Sequence, residues 1–109
     1  MVLIIGGAYQ GKTEYVKEHF DSGYEIVNHY HLKVKEQLKK GQNCFLEAEK
    51  LLSEKEHLII ITDEIGYGLV PMEEEERVYR EIAGRVNCYL AKEADEVIRV
   101  VCGIGNRIK

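Results

Sequence analysis

The sequence predicts an α/β fold with a mainly parallel sheet of about four to five strands flanked by helices. Short runs of β-branched and aliphatic residues alternate with longer amphipathic segments along the chain, which is the pattern of strands connected by helices. The run Val2–Ile5 contains no polar residue, and in Leu58–Thr62 only the last residue is polar. Continuous apolar runs are typical of strands buried on both faces of a parallel sheet.

The predicted elements follow one another in an alternating order. Strands are predicted at Val2–Ile5, Tyr24–Asn28, Leu58–Thr62, Val97–Val101 and Ile104–Ile108. Helices are predicted at Lys12–His19, His31–Lys40 and Cys44–Glu54, followed by a long helix from near Pro71 to Ala94. On the long helix, the step of four between Val78, Ile82, Val86 and Leu90 predicts the buried face.

Length and composition limit the classes of function. A chain of 109 residues, 45% of them hydrophobic, predicts one compact domain over residues 1–109. The net charge is -4 and no cluster of Lys and Arg is interleaved with aromatic residues, so nucleic acid is not an expected partner. No apolar stretch approaches the roughly 20 residues that span a bilayer, so we expect no membrane association and a cytoplasmic location.

The three cysteines support the same location. Cys44, Cys88 and Cys102 are far apart and form no C-x-x-C pair. This spacing predicts neither zinc binding nor disulfides, and it favours a reducing compartment. We therefore expect all three to be small buried hydrophobic residues.

The segment after the first strand satisfies the pattern G-x-x-x-x-G-K-[ST]. Its eight residues are Gly6, Gly7, Ala8, Tyr9, Gln10, Gly11, Lys12 and Thr13. The glycines allow successive backbone amides to point at phosphate oxygens, and the helix N-terminus adds positive potential. The Lys12 ammonium is expected to reach the β- and γ-phosphates, and the Thr13 hydroxyl is expected to ligate Mg²⁺. The alternative is a glycine-rich turn with an exposed lysine.

These features predict a P-loop NTPase-like fold that binds ATP or GTP together with Mg²⁺. A P-loop needs a further acidic group for the metal, usually at the end of a neighbouring strand. Asp63 and Glu64 follow Leu58–Thr62. Asp63 is predicted to hold Mg²⁺, directly or through water, and Glu64 to orient or deprotonate an attacking hydroxyl. The alternative for each carboxylate is a helix or turn cap.

Two further stretches resemble a known family. Thr62-Asp63-Glu64-Ile65-Gly66-Tyr67-Gly68-Leu69-Val70-Pro71 resembles the (S/T)-N-E-V-G-x-G-I-V-P motif of the adenosylcobinamide kinase / adenosylcobinamide-phosphate guanylyltransferase family. The stretch from Tyr79 to Asn87 resembles its F-R-D-x-A-G-x-x-N motif, and the last residues match its ending. The P-loop also begins like that of the family, with Gly6-Gly7-Ala8.

The resemblance implies a P-loop α/β sheet, a trimeric assembly and two linked activities. Members of the family phosphorylate the aminopropanol hydroxyl of adenosylcobinamide, an intermediate of cobalamin synthesis, using ATP or GTP. They then form a guanylylated histidine and transfer GMP to the product. A nucleoside triphosphate and a corrinoid are therefore the implied ligands of this chain, and a homo-trimer is its implied assembly.

The chain departs from the family pattern in its middle, which is shorter and lacks the histidine-bearing stretch of approximately H-R-x-x-R-P. His29 and His31 lie in the corresponding place, and Asp63 stands where the motif has Asn. Three functions stay open: a corrinoid kinase, a nucleotide-binding module or sensor without transfer chemistry, and guanylyl transfer through His29 or His31. ATP and GTP are equally compatible, because no N-K-x-D-like motif for guanine is present.

Overall fold

The computed structural model describes residues 1–65 and 73–109. Within these ranges the strands are β1 (Val2–Gly6), β2 (Glu25–Val27), β3 (Leu58–Asp63), β4 (Glu96–Val101) and β5 (Ile104–Arg107). The helices are α1 (Lys12–His19), α2 (Tyr30–Lys39), α3 (Cys44–Glu54) and α4 (Glu74–Glu93). The predicted α/β class is confirmed. The Gly66-Tyr67-Gly68 loop and Pro71, near which the long helix was expected to begin, lie outside the described residues.

One five-stranded sheet has the order β2-β3-β1-β4-β5. β1 pairs in parallel with β3 and β4, and β2 pairs in parallel with β3. Only β5 runs antiparallel, as the outer strand of a hairpin with β4. Because the chain places its later strands on both sides of β1, a crevice is expected at the carboxyl end of β1. Gly6 lies opposite Asp63 in the β1–β3 register, so the P-loop and Asp63 leave the sheet at the same edge.

Two apolar clusters cover the two faces of the sheet. Leu3 belongs to the larger cluster, with residues of α2, α3 and α4 such as Tyr30 and Val86. Ile4 belongs to the smaller cluster, with Val16 of α1. Side chains alternate between the two faces along a strand, so a central strand that is covered on both faces needs apolar residues at every position. This explains the uninterrupted apolar runs of β1 and β3.

The buried face of α4 differs from the predicted one in its first half. Tyr79, Ala83, Val86 and Leu90 are buried, whereas Val78 is 46% exposed. A constant step of four drifts around the helix because one turn contains about 3.6 residues. The observed spacings of four, three and four residues keep the buried side chains on one side of the helix. No helix in residues 1–65 and 73–109 has both the length and the apolar character needed to cross a membrane.

The prediction that all three cysteines are buried is wrong for two of them. Cys44 is buried, whereas Cys88 and Cys102 are exposed, and all three are free thiols. Cys88 lies on α4, and Cys102 lies in the β4–β5 turn with a φ of 51°. Spacing along the chain excludes a metal-binding pair but does not tell which side of a helix or turn a residue occupies.

The close approach of β1 and β4 at Gly6 gives a test of the sheet. A Cβ added to Gly6 would meet the carbonyl oxygen of Val100, whereas one added to Gly84 in α4 would have no atom within 4 Å. Gly6→Ala is expected to lower the free energy of unfolding by about 1–3 kcal/mol because of this overlap. The control, Gly84→Ala, is expected to raise it by about 0.5–1 kcal/mol. Urea unfolding measures both, and equal stabilities would contradict the close β1–β4 approach.

Candidate functional site

The loop between β1 and α1 has the backbone turns that its pattern predicts. Gly11 caps α1 with a φ of 84°, in the left-handed region where glycine is unstrained. Tyr9 at the tip of the loop has a φ of 60° and is fully exposed. α1 begins at Lys12, so the first amides of the helix have no carbonyl partner within it.

The β4–β5 turn holds this loop on one side. The Gly103 N–H donates to the Gln10 carbonyl oxygen at 2.7 Å, and the Cys102 N–H donates to Gln10 Oε1 at 2.8 Å. A Cβ on Gly11 would lie 3.3 Å from the Gly103 Cα, so the two backbones are in close contact. The Gln10 side chain and backbone together fix the loop to the hairpin.

Lys12 and Asp63 form an ion pair on the other side of the loop. Lys12 Nζ lies 2.8 Å from Asp63 Oδ1, and the two side chains are only 8% and 18% exposed. The ammonium also donates to the Gly7 carbonyl oxygen at 2.5 Å. The lysine predicted to contact phosphate and the aspartate predicted to hold Mg²⁺ are therefore in direct contact.

His31 contacts the same aspartate in two ways. The Asp63 N–H donates to His31 Nδ1 at 3.1 Å, and His31 Nε2 lies 3.4 Å from Asp63 Oδ2. Because Nδ1 accepts a hydrogen bond, the proton of the neutral ring is on Nε2 and faces the carboxylate. Burial lowers the pKa of His31, while the nearby Asp63 charge opposes this shift. Both ring nitrogens of His31 are thus engaged by Asp63.

Sequence analysis missed Asn28, which follows β2. Its Nδ2 donates to Thr13 Oγ1 at 3.1 Å, and its Oδ1 accepts from the His29 N–H at 2.8 Å. The backbone bond fixes the orientation of the amide, so that its NH₂ group faces Thr13. A polar residue at the carboxyl end of a predicted parallel strand was the available signal, but the predicted strand Tyr24–Asn28 included it as an ordinary strand residue.

These side chains surround one cavity of about 350 Å³. Its described lining consists of Ala8, Tyr9, Gln10, Gly11, Lys12, Thr13, Glu14, Asn28, His29, His31 and Asp63. Gly6 and Gly7 lie at the start of the loop behind it. A larger cavity of about 630 Å³ between α2 and the start of α4 has none of the P-loop residues in its described lining. The predicted chemistry therefore belongs to the smaller cavity.

Glu64 is not among the described residues that line this cavity. Its two carboxylate oxygens accept hydrogen bonds from Arg99 of β4, at 2.7 Å from Nε and 3.0 Å from Nη2. Its backbone N–H donates to the Gly6 carbonyl oxygen at 2.7 Å. The structure thus brings Lys12, Thr13 and Asp63 together and places Glu64 in a separate ion pair.

The donor set of the cavity fits Mg²⁺. The Thr13 hydroxyl and the Asp63 carboxylate are hard oxygen donors, which Mg²⁺ prefers. In residues 1–65 and 73–109, no three side chains of His, Cys, Asp or Glu are grouped so that they could hold a metal ion. A magnesium ion that takes most of its ligands from phosphate and water fits this arrangement, whereas a structural zinc ion would need four protein ligands.

Comparison with known proteins gives a match over most of the chain. The family model described as cobinamide kinase / cobinamide phosphate guanyltransferase matches residues 21–108. Two proteins named bifunctional adenosylcobalamin biosynthesis protein CobU are also similar. The protein from Salmonella typhimurium is 52% identical over 52 residues, and the one from Escherichia coli is 50% identical over 52 residues.

The matches cover only part of the relatives and do not include the start of this chain in the family model. Each alignment with a relative covers 48% of this chain and 29% of that relative, so the chain spans less than a third of each relative's length. The family match starts at residue 21, after the P-loop. The assignment of the loop to phosphate binding therefore depends on its own pattern and geometry.

The contacts of His31 predict its protonation state. We expect the ring to be neutral in the folded protein at pH 6.5, with its proton on Nε2, because burial lowers its pKa. On acidification, His31 then takes up a proton in the unfolded chain at a higher pH than in the folded protein. The contribution of His31 to the free energy of unfolding should therefore decrease as the pH falls through about 6.5. Long-range ¹H–¹⁵N correlation spectra measure the tautomer, and His31→Asn identifies the resonance. A doubly protonated ring at pH 6.5, or a proton on Nδ1, would contradict the assigned contacts.

Proposed function

The chain belongs to the cobinamide kinase / cobinamide phosphate guanyltransferase family, and we propose that it is a kinase that uses ATP or GTP to phosphorylate the hydroxyl of a corrinoid intermediate of cobalamin synthesis. The observation that carries the proposal is the convergence of Lys12, Thr13 and Asp63 on one cavity at the carboxyl end of β1. A nucleoside triphosphate needs cationic, amide and metal-binding groups together at its phosphates.

In this proposal the loop residues bind the polyphosphate. The backbone amides from Gly7 to Thr13 hold the phosphate oxygens, and the Lys12 ammonium exchanges its contacts with Gly7 and Asp63 for the β- and γ-phosphates. Thr13 and Asp63 would hold Mg²⁺, which would neutralise phosphate charge. The γ-phosphorus forms a bond with the acceptor oxygen as its bond to the oxygen that bridges to the β-phosphorus breaks, ADP or GDP leaves, and the acceptor proton passes to solvent. Catalysis is mainly positioning and charge neutralisation.

Glu64 enters this proposal as an orienting residue. Both carboxylate oxygens of Glu64 already accept hydrogen bonds from the Arg99 guanidinium, which fixes the orientation of the carboxylate. Phosphoryl transfer through a loose transition state needs little general-base assistance. We therefore assign orientation of the acceptor hydroxyl, rather than its deprotonation, to the pair of Glu64 and Arg99.

We further propose that the chain works as a homo-trimer, as the family resemblance implies. The β4–β5 hairpin exposes apolar side chains at the outer edge of the sheet: Val101, Ile104 and Ile108 are 46%, 72% and 59% exposed. Contact with another copy would cover this edge strand, which otherwise presents unpaired backbone groups. Light scattering after size-exclusion chromatography measures the assembly.

A nucleotide-binding module without transfer chemistry is the second candidate. The cavity of about 350 Å³ is smaller than the volume that a triphosphate and a corrinoid would fill together, since a drug-sized ligand alone takes about 300–1,000 Å³. Micromolar binding of ATP or GTP without phosphorylation of any corrinoid would support the module. Guanylyl transfer is the third candidate. A labelled GTP that leaves no acid-labile adduct on His29 or His31 would exclude it.

The kinase proposal gives a direct prediction for Lys12. Lys12→Ala is expected to lower kcat/KM for cobinamide phosphorylation by roughly 100-fold or more, because it removes a charge that stabilises the transferring phosphoryl group. Lys17→Ala is the matched control, since Lys17 is an exposed residue of the same helix, and it should retain activity. Transfer of label from [γ-³²P]ATP and [γ-³²P]GTP to cobinamide, with magnesium, measures both. Wild-type turnover no higher than that of Lys12→Ala would reject the kinase.

A further inference from the structure

One short segment contacts both residues that are proposed to hold Mg²⁺. The segment from Asn28 to His31 consists of the two residues between β2 and α2 and the first two residues of α2. Asn28 Nδ2 donates to Thr13 Oγ1 at 3.1 Å, and His31 lies against Asp63 through both ring nitrogens. No residue of this segment belongs to the P-loop or to β3, so the two contacts come from a third part of the chain.

The segment is itself held firmly by the core. Tyr30, between the two contacting residues, is 1% exposed and belongs to the larger apolar cluster. The His31 carbonyl oxygen accepts a hydrogen bond from Tyr79 of α4 at 3.0 Å. His29, between β2 and α2, has a φ of 52°, so the chain turns sharply there. Asn28 therefore reaches Thr13, and His31 reaches Asp63, from a base that the core fixes.

The atoms that make these contacts leave the metal-binding oxygens in a defined orientation. The amide of Asn28 donates to one lone pair of Thr13 Oγ1, which leaves the other lone pair for a cation. His31 receives the Asp63 backbone N–H on Nδ1 and presents its Nε2 proton to Oδ2, while Lys12 occupies Oδ1. Each oxygen of the carboxylate thus has its own partner. Such outer contacts orient metal ligands and affect metal affinity.

We propose that Asn28 and His31 are positioning residues that preorganise Thr13 and Asp63 for the magnesium ion of a bound nucleotide. This inference rests on the proposed function only for the identity of the two metal-holding residues. It does not require that the phosphoryl group is transferred. Loss of either contact should therefore weaken nucleotide binding in the presence of magnesium. Nucleotide affinity without magnesium, which the amides of the loop supply, should not change.

The test measures nucleotide affinity in two conditions for each variant. ATP and GTP are titrated into the 109-residue protein by calorimetry, first in EDTA and then across a magnesium series. Asn28→Ala and His31→Asn are expected to raise the magnesium concentration for half-maximal stimulation of binding by about 10–100-fold, with the affinity in EDTA changed by less than about 2-fold. Asn106→Ala, at an exposed asparagine of β5, is the control and should match the wild type. Electron paramagnetic resonance measures the affinity of the protein–nucleotide complex for Mn²⁺ directly. This affinity should be lower in Asn28→Ala and His31→Asn than in the wild type and Asn106→Ala.

Two histidine variants separate positioning from general stability. An asparagine at position 31 can replace Nδ1 as the acceptor for the Asp63 N–H, whereas a glutamine can replace Nε2 as the donor to the carboxylate. His31→Gln is therefore expected to have a smaller effect on the magnesium requirement than His31→Asn. Thermal melting identifies any variant that does not fold, and Asn28→Ala tests the same proposal without a change at His31.

Three results would overturn the inference. The first is equal weakening of binding in EDTA and in magnesium, which indicates a structural role alone. The second is an unchanged magnesium requirement in folded Asn28→Ala and His31→Asn. The third is a wild-type protein whose nucleotide binding does not respond to magnesium. By contrast, a wild-type protein that shows magnesium-dependent binding but does not phosphorylate cobinamide rejects only the kinase.

Discussion

The pairing of Lys12 with Asp63 is the interaction on which the site depends. Each of these charged side chains is largely withdrawn from solvent, and removal of charge from water is costly unless a partner compensates it. The pairing is possible because the parallel register of β1 and β3 sets Gly6 opposite Asp63. The glycine-rich turn then returns Lys12 over the end of β1. Sheet register, loop conformation and ion pair are therefore one structural unit, and a change in any of them leaves a buried charge without its partner.

The loop from Gly6 to Thr13 is held from two sides by parts of the chain that are distant in sequence. On the β4 side, the Cys102–Gly103 turn bonds to Gln10. On the β3 side, Asp63 bonds to Lys12, and Asn28 bonds to Thr13. If this loop binds an anion through its amides as proposed, it would lose less conformational entropy on binding because its neighbours already fix it. The fold thus contributes to the site by restricting this loop as well as by placing charges near it.

Sequence analysis predicted the parts of this site that depend on local patterns. The eight residues of the loop, the strands that precede and flank it, and the acidic end of β3 all follow from spacing and from apolar runs. Contacts between distant segments were not predictable in the same way. Asn28 has no local signal that specifies Thr13 as its partner, and the pairing of Glu64 with Arg99 depends on two strands that are adjacent to β1 on opposite sides. The buried face of α4 was predicted only in part. Spacings of three and four residues both place side chains on roughly the same side of a helix, so the pattern alone did not decide between them.

The aspartate at position 63 changes the electrostatics of the site relative to the motif that it resembles, which has a neutral asparagine there. With aspartate, the charges of Lys12 and residue 63 cancel, whereas with asparagine the lysine would remain uncompensated and would attract a polyphosphate directly. The carboxylate repels phosphate oxygens unless a cation lies between them. Exchange of the Lys12 contact for a magnesium contact on Asp63 would free the ammonium for the phosphates and remove this repulsion in one step. If Asp63 holds the ion as proposed, the same carboxylate would make metal and nucleotide binding mutually dependent, and residues that orient it, such as His31, would influence nucleotide affinity without touching the nucleotide.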